Sequence, residues 1–202
     1  MGAASSVSDV PQGIRSLRGQ GRFRIGDMID LEPAISADGP RLVALREEAA
    51  RWLTDRGITQ WTPGEIGIAE VAAQVVASEW FVLRREGRVI AAMRLLSSDE
   101  PVWGPQSDEA VYLHGLVVDR SEAGRSLGAA LLTWAEQRSR DTGRTLLRLD
   151  CVESNMPLRD YYARAGFTEV GRREFTHRSW HPVVLLEKRL ASHDEGNPTV
   201  SP

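Results

Sequence analysis

The chain has 202 residues, 42% hydrophobic and 26% charged, an ordinary globular balance with enough length to bury a sizeable core in one domain. A formal net charge of −3 gives no global attraction to nucleic acid, and no apolar run approaches the roughly 18 residues of a membrane span, so neither partner is expected. The single cysteine, Cys151, excludes an internal disulfide and a multi-cysteine zinc site; with no secretory signal pattern, the expectation is a cytoplasmic protein.

In chain order, residues 1–25 read as a flexible arm, rich in Gly, Ser, Ala and Arg without a sustained period. A globular domain is expected over 26–190 and a polar flexible tail over 191–202. A first strand is predicted over 29–35. A helix follows over 40–56, with Leu42, Leu45, Ala49, Trp52 and Leu53 on one face and Gly57 as its stop. Thr62-Pro63-Gly64-Glu65 has the spacing of a capping box, so a second helix is predicted from there to about 78, burying Ile68, Val71, Ala72 and Val75. Residues 80–84 and 88–96 read as two strands joined by a tight turn, and 97–108 as a polar loop. A strand, a short polar turn and an amphipathic helix fill 111–137, the helix stopping at Gly143. A strand over 145–151, a short helix over 157–165 stopped by Gly166, and strands over 167–175 and 180–190 complete the chain. This order predicts a mixed α/β domain, one twisted sheet with helices on both faces.

The turn inside 111–137 holds Gly124 and Gly128 with Arg125, Ser126 and Leu127 between them. Small residues there let a ligand approach the backbone, and the new helix offers unpaired N–H groups at the positive end of its dipole. Together they predict a phosphate seat. The Gly-Lys of a Walker loop is missing, and the turn comes too late in the strand order for a dinucleotide fingerprint. A second motif follows about 30 residues on, LDCVESNMPLRDYYARAGF over 149–167: a strand, Asn155 at a polar turn, then a helix with Tyr161 and Tyr162 leading to Gly166-Phe167.

In this order and spacing the two motifs resemble the GNAT superfamily of N-acetyltransferases, and the strand order extends the resemblance over about 29–190. The resemblance implies a single GNAT-like domain whose fourth strand splays from its neighbour at an acetyl-CoA site. The family's pyrophosphate turn, which resembles Arg/Gln-x-x-Gly-x-Gly/Ala, falls on Ala123, Gly124, Arg125, Ser126, Leu127 and Gly128, with Ala129 next in the helix. Ala123 departs from the usual basic or amide residue, and Ser126 from a glycine; serine is tolerated there at negative φ. By the same resemblance Leu116, Val117 and Val118 pair with the pantetheine arm and Asn155 contacts it, Asn155 also fitting a turn or cap residue. Tyr162, in Tyr-x-x-x-Gly-Phe, falls where the family places its general acid, and Tyr161, one helical step away, is expected to face elsewhere.

An attacking alkyl amine must lose a proton at a cost of roughly 4 to 5 kcal/mol at pH 7. His114, on the splayed strand, is the candidate base, the alternative being a packed strand histidine; Asp99, Glu100 and Glu153 are further candidates. His177 and His181, with Trp52, Trp61, Trp103 and Trp180, are placed around an acceptor pocket. Four scattered histidines give no metal-ligand spacing, so no metal is expected. The expected activity is transfer of the acetyl group of acetyl-CoA to a primary amine of a small molecule. A protein or peptide amine, or an acyl-CoA-binding module without catalysis, stands as the alternative, and a homodimer is left open.

Overall fold

The computed structural model describes residues 29–105, 109–175 and 180–191. The expected arm 1–25, His177 and all but the first residue of the expected tail lie outside them. The strands are β1 Glu32–Pro33, β2 Trp80–Arg85, β3 Arg88–Leu96, β4 Ala110–Val118, β5 Leu146–Val152, β6 Thr168–Arg173 and β7 Val183–Arg189. The helices are α1 Gly39–Thr54, α2 Ile68–Val76, α3 Glu100–Trp103, α4 Leu127–Asp141 and α5 Met156–Arg164. One sheet runs β1-β2-β3-β4-β5-β7-β6, and β4–β5 is its parallel pairing. No helix among the described residues is long and apolar enough to cross a membrane.

Helices cover both faces, which is why the middle of β3 is buried continuously from Val89 to Met93 instead of alternating. On one face α1 and α2 bury Leu42, Leu45, Val71 and Val75 against Trp80, Val82 and Val117. On the other, Leu131, Leu132 and Ala135 of α4 and Tyr162 of α5 pack with Ile90, Met93, Leu113, Leu147, Leu149 and Cys151. The β2–β3 hairpin turns on Glu86 and Gly87, both at positive φ (51° and 77°), the backbone sign that matches the twist of the flanking strands. Helix α4 ends as expected. Gly143 at φ 74° lets its own N–H reach Arg140 O and the Arg144 N–H reach Ser139 O, closing the last carbonyls.

Three expectations change. Only Glu32 and Pro33 of the first predicted strand pair with β2. The second helix starts at Ile68, because Gly64 sits at φ 79° and breaks the turn begun at Thr62. That late start leaves Ile68 and Ala72 exposed and buries Gln74, whose Oε1 accepts the Trp80 indole N–H at 2.9 Å. The polar loop contains α3, with Asp99 as the residue before its first turn.

Candidate active site

Strands β4 and β5 pair only from Ala110↔Leu146 to Tyr112↔Arg148, although β4 runs on to Val118 and β5 to Val152. Beyond Tyr112 they part. Gly115 supports the departure: it lies at φ 59°, at an irregularity in the β3–β4 ladder, and a Cβ on it would meet Trp80 Cη2 at 2.8 Å. Only glycine fits both conditions. The opening is a cleft of about 1350 Å³. Leu116, Val117 and Val118 border it, so the splayed strand expected from the sequence is present and lines the cavity.

At one end of the cleft lies the turn into α4. Gly124 is at φ 78° and Ser126 at φ 60°, both left-handed. Serine therefore occupies the conformation it was expected to avoid, at a cost of about 1–2 kcal/mol. The first helical bond is Ala130 N–H to Ser126 O. Among the described residues, the N–H groups of Gly124, Arg125, Ser126, Leu127, Gly128 and Ala129 have no acceptor, and the Ser126 side chain makes no cap bond. Six consecutive donors at a helix N-terminus form a concave anion seat that fits a pyrophosphate. Ala123 contributes no side-chain donor. Arg125 is drawn to Glu122 at 3.2 Å, and Glu122 also takes Arg85. Positive charge comes instead from Arg120, stacked 4.0 Å from the centroid of Trp52, which also carries Arg56 at 4.3 Å. The sequence points to Trp52 as a pocket residue and gives no signal for Arg120 or Arg56.

Helix α5 supplies the two tyrosines. Its end explains the Tyr-x-x-x-Gly-Phe spacing physically. Gly166 at φ 89° lets the Phe167 N–H reach Tyr162 O at 3.0 Å, and the two rings meet at 5.7 Å. The glycine thus closes the helix and clamps Tyr162 between the core and the cleft. Tyr162 is 7% exposed, and its hydroxyl has no hydrogen-bond partner among the described residues. Burial, then the nearby Cys151, Tyr161 and Asp150, hold its pKa above the ordinary phenol value, so it stays protonated and able to donate. Burial likewise pushes the Cys151 thiol up to about 12, which removes it as a nucleophile. Tyr161 does not face elsewhere. It lines the cleft, and its hydroxyl stands 2.9 Å from where a Cβ on Gly128 would be, over the start of α4.

Asn155 caps α5, accepting the Leu158 N–H at 3.3 Å. Its amide N–H donates to Gln60 Oε1 at 3.1 Å, which also accepts the Val152 N–H at 3.2 Å. Asn155 lines the cleft as well as capping the helix. Gln60, in the loop between α1 and α2, carried no signal in the sequence.

His114 lines the cleft opposite Arg94 across the β3–β4 ladder. Its Nε2 is 3.1 Å from Asp99 Oδ2, and its Nδ1 is 3.9 Å from Asp150 Oδ1. Burial, with Asp99 nearby, raises the Asp150 pKa against the opposing pull of His114. One side-chain donor atom from each of the three residues lies within 4.8 Å of the others. Glu100 and Glu153, the other base candidates, do not line the cleft, and an Arg172 hydrogen bond holds the Glu153 carboxyl below its usual range. The cleft is also lined by Trp61, Trp80, Phe175, Trp180 and His181. Trp103 instead packs on Tyr112, away from the cleft. Arg46 and Arg94, also in the cleft lining, are each held by a glutamate, Glu65 at 3.0 Å and Glu79 at 2.7 Å.

The sequence model of the acetyltransferase (GNAT) family matches residues 44–167. YesJ of Bacillus subtilis (strain 168), described as an N-acetyltransferase, is 34% identical over 146 residues, covering 69% of this chain and 81% of YesJ. An acetyltransferase of the GNAT family from Listeria monocytogenes superposes with a TM-score of 0.68 at 26% identity, over 84% of this chain and all of that one. The fold is also that of yncA from Salmonella typhimurium, solved with its cofactor acetyl-CoA, at a TM-score of 0.61 and 16% identity over 86% of this chain and 99% of that one.

Proposed function

The chain belongs to the acetyltransferase (GNAT) family of acetyl-CoA-dependent N-acetyltransferases, and we propose that its acceptor is a primary amine of a small molecule. The observation that carries this reading is the opening between β4 and β5, lined both by His114 and by six consecutive N–H groups that have no acceptor among the described residues. Acetyl-CoA supplies the activated acyl group and a sulfur leaving group. Residues Gly124 to Ala129 seat its pyrophosphate through backbone donors, Ala123 lining the cleft with its own N–H spent on Arg120 O, and Leu116, Val117 and Val118, with Asn155, flank the pantetheine arm.

His114 accepts a proton from the incoming ammonium, freeing the lone pair that forms the C–N bond. As the C–S bond breaks, Tyr162 gives the sulfur its phenolic proton. The second proton lost by the nitrogen restores the phenol, and the imidazolium releases its own to water. Backbone N–H groups of β4 facing the opening stabilise the charge that develops on the acetyl oxygen. The acceptor half suits a cationic amine: its walls are aromatic, both of its arginines are already paired with glutamates, and two aspartates flank the histidine.

A thiol-release screen with acetyl-CoA against alkyl amines, aminoglycosides, amino acids and peptides tests the reading. Turnover of a small amine is expected. Turnover confined to peptides would move the acceptor to a protein, and coenzyme A binding without turnover would end the proposal.

A further inference from the structure

Two aspartates from different elements converge on one imidazole, and they do so unequally. Asp99 precedes α3, where an aspartate ordinarily turns its carboxylate onto the new helix's N–H groups. Here it makes no such cap bond and reaches His114 Nε2 at 3.1 Å instead, with its side chain 8% exposed. Asp150 comes from β5, on the far side of the opening, and stands 3.9 Å from Nδ1. That distance is too long for a hydrogen bond and leaves a gap between acceptor and carboxylate. Arg94, across the ladder from His114, is held by Glu79 at 2.7 Å.

We propose that Asp99 is a positioning residue that fixes His114 as the Nε2–H tautomer, and that Asp150 is an acceptor-binding residue that takes a second N–H of the amine seated at Nδ1. This rests on the acetyltransferase reading above. With Nε2–H donating to Asp99, the Nδ1 lone pair faces the opening between β4 and β5. An ammonium entering there presents one N–H to Nδ1 and another to Asp150 Oδ1, bridging the 3.9 Å gap. The seat therefore selects an amine with at least two N–H bonds after protonation and no anionic group beside the nitrogen, since a neighbouring carboxylate would face both aspartates. The acceptor class is a cationic alkyl amine rather than an α-amino acid.

Two readouts test the pair. In steady-state kinetics with the best acceptor of the screen, Asp150→Asn should raise the acceptor KM by about 10-fold or more while the Kd for acetyl-CoA, by calorimetry, stays unchanged. An unchanged KM would overturn the anchor. In 15N spectra of histidine-labelled protein, with His114→Gln to assign the signal, wild type should show the Nε2–H tautomer and Asp99→Asn should lose it, with Asp99→Glu restoring it in part. A tautomer indifferent to Asp99 would overturn the positioning role. The spectra do not depend on turnover. If no amine is acetylated, the functional reading fails, but n-butylamine should still shift the His114 Nδ1 resonance in wild type and not in Asp150→Asn. Equal shifts in both would overturn the seat.

Discussion

The hydroxyl of Tyr161 lies 2.9 Å from the point where a side chain on Gly128 would begin. Gly128 is in the first turn of α4 with ordinary helical backbone, so its lack of a side chain serves space and not φ. Gly128→Ala should therefore lower Tm by displacing Tyr161. In a Tyr161→Phe background, where the hydroxyl is gone, the same change should stabilise by about 0.5–1 kcal/mol through helix propensity. Thermal melts of the four proteins complete the cycle, and additive effects would count against the contact.

Ser126 pays for its left-handed backbone with no cap bond in return. Ser126→Gly should relieve about 1–2 kcal/mol of strain and lose part of it to chain entropy, a net gain of roughly 0.5–1 kcal/mol. Acetyl-CoA affinity, by calorimetry, should hold or tighten, because the backbone donors stay and the approach widens. Weaker binding would mean that the serine hydroxyl itself contacts the ligand.

Tyr162→Phe removes a hydroxyl without a partner among the described residues and keeps the ring against Phe167. Stability should change by less than about 1 kcal/mol. Turnover should fall by about 10²-fold with cofactor affinity nearly intact. An unchanged rate would pass the acid role to another group, Tyr161 first among them.

The half-buried Asp150 carboxyl titrates above its unfolded value, so the native state holds its proton more tightly than the unfolded chain does. Its contribution to stability is full below the ordinary carboxylate pKa and is lost as pH rises through the raised folded value. Asp150→Asn, which cannot ionise, should therefore melt higher than wild type at pH 7, and the difference should vanish at about pH 3–4. Each 1 kcal/mol is worth about 2–4 °C in a domain of this size. An aspartate that weakens the fold at neutral pH and lines the cleft fits a residue kept for binding.

How far the sequence foretold this depends on how local the signal is. Tyr162, Gly166 and Phe167 were legible because one helix end fixes all three, and Gly124 and Gly128 because one turn does. Thr62 and Glu65 misled: their spacing suits a cap, but Gly64 between them takes a left-handed φ and delays the helix. Tyr161 was placed wrongly because one helical step separates directions on α5 yet does not say which of them the cleft occupies. Asp99, His114 and Asp150 were beyond reach as a set. They come from a loop and two strands, and only the parting of β4 from β5 brings them around one point.

That parting has a mechanical side. Among the described residues, the strand ladder joins the leaf β1–β4 to the leaf β5–β7–β6 across three residue pairs, Ala110↔Leu146 to Tyr112↔Arg148, with Glu109 O also accepting from Thr145 and Leu146. The sheet is a book with a short spine. A molecule lying between its pages touches both leaves, so part of what it gains by binding goes into holding them together. At 100 times its Kd such a molecule adds about 2.7 kcal/mol to the folded state. The enzyme's own co-substrate would then be its clasp.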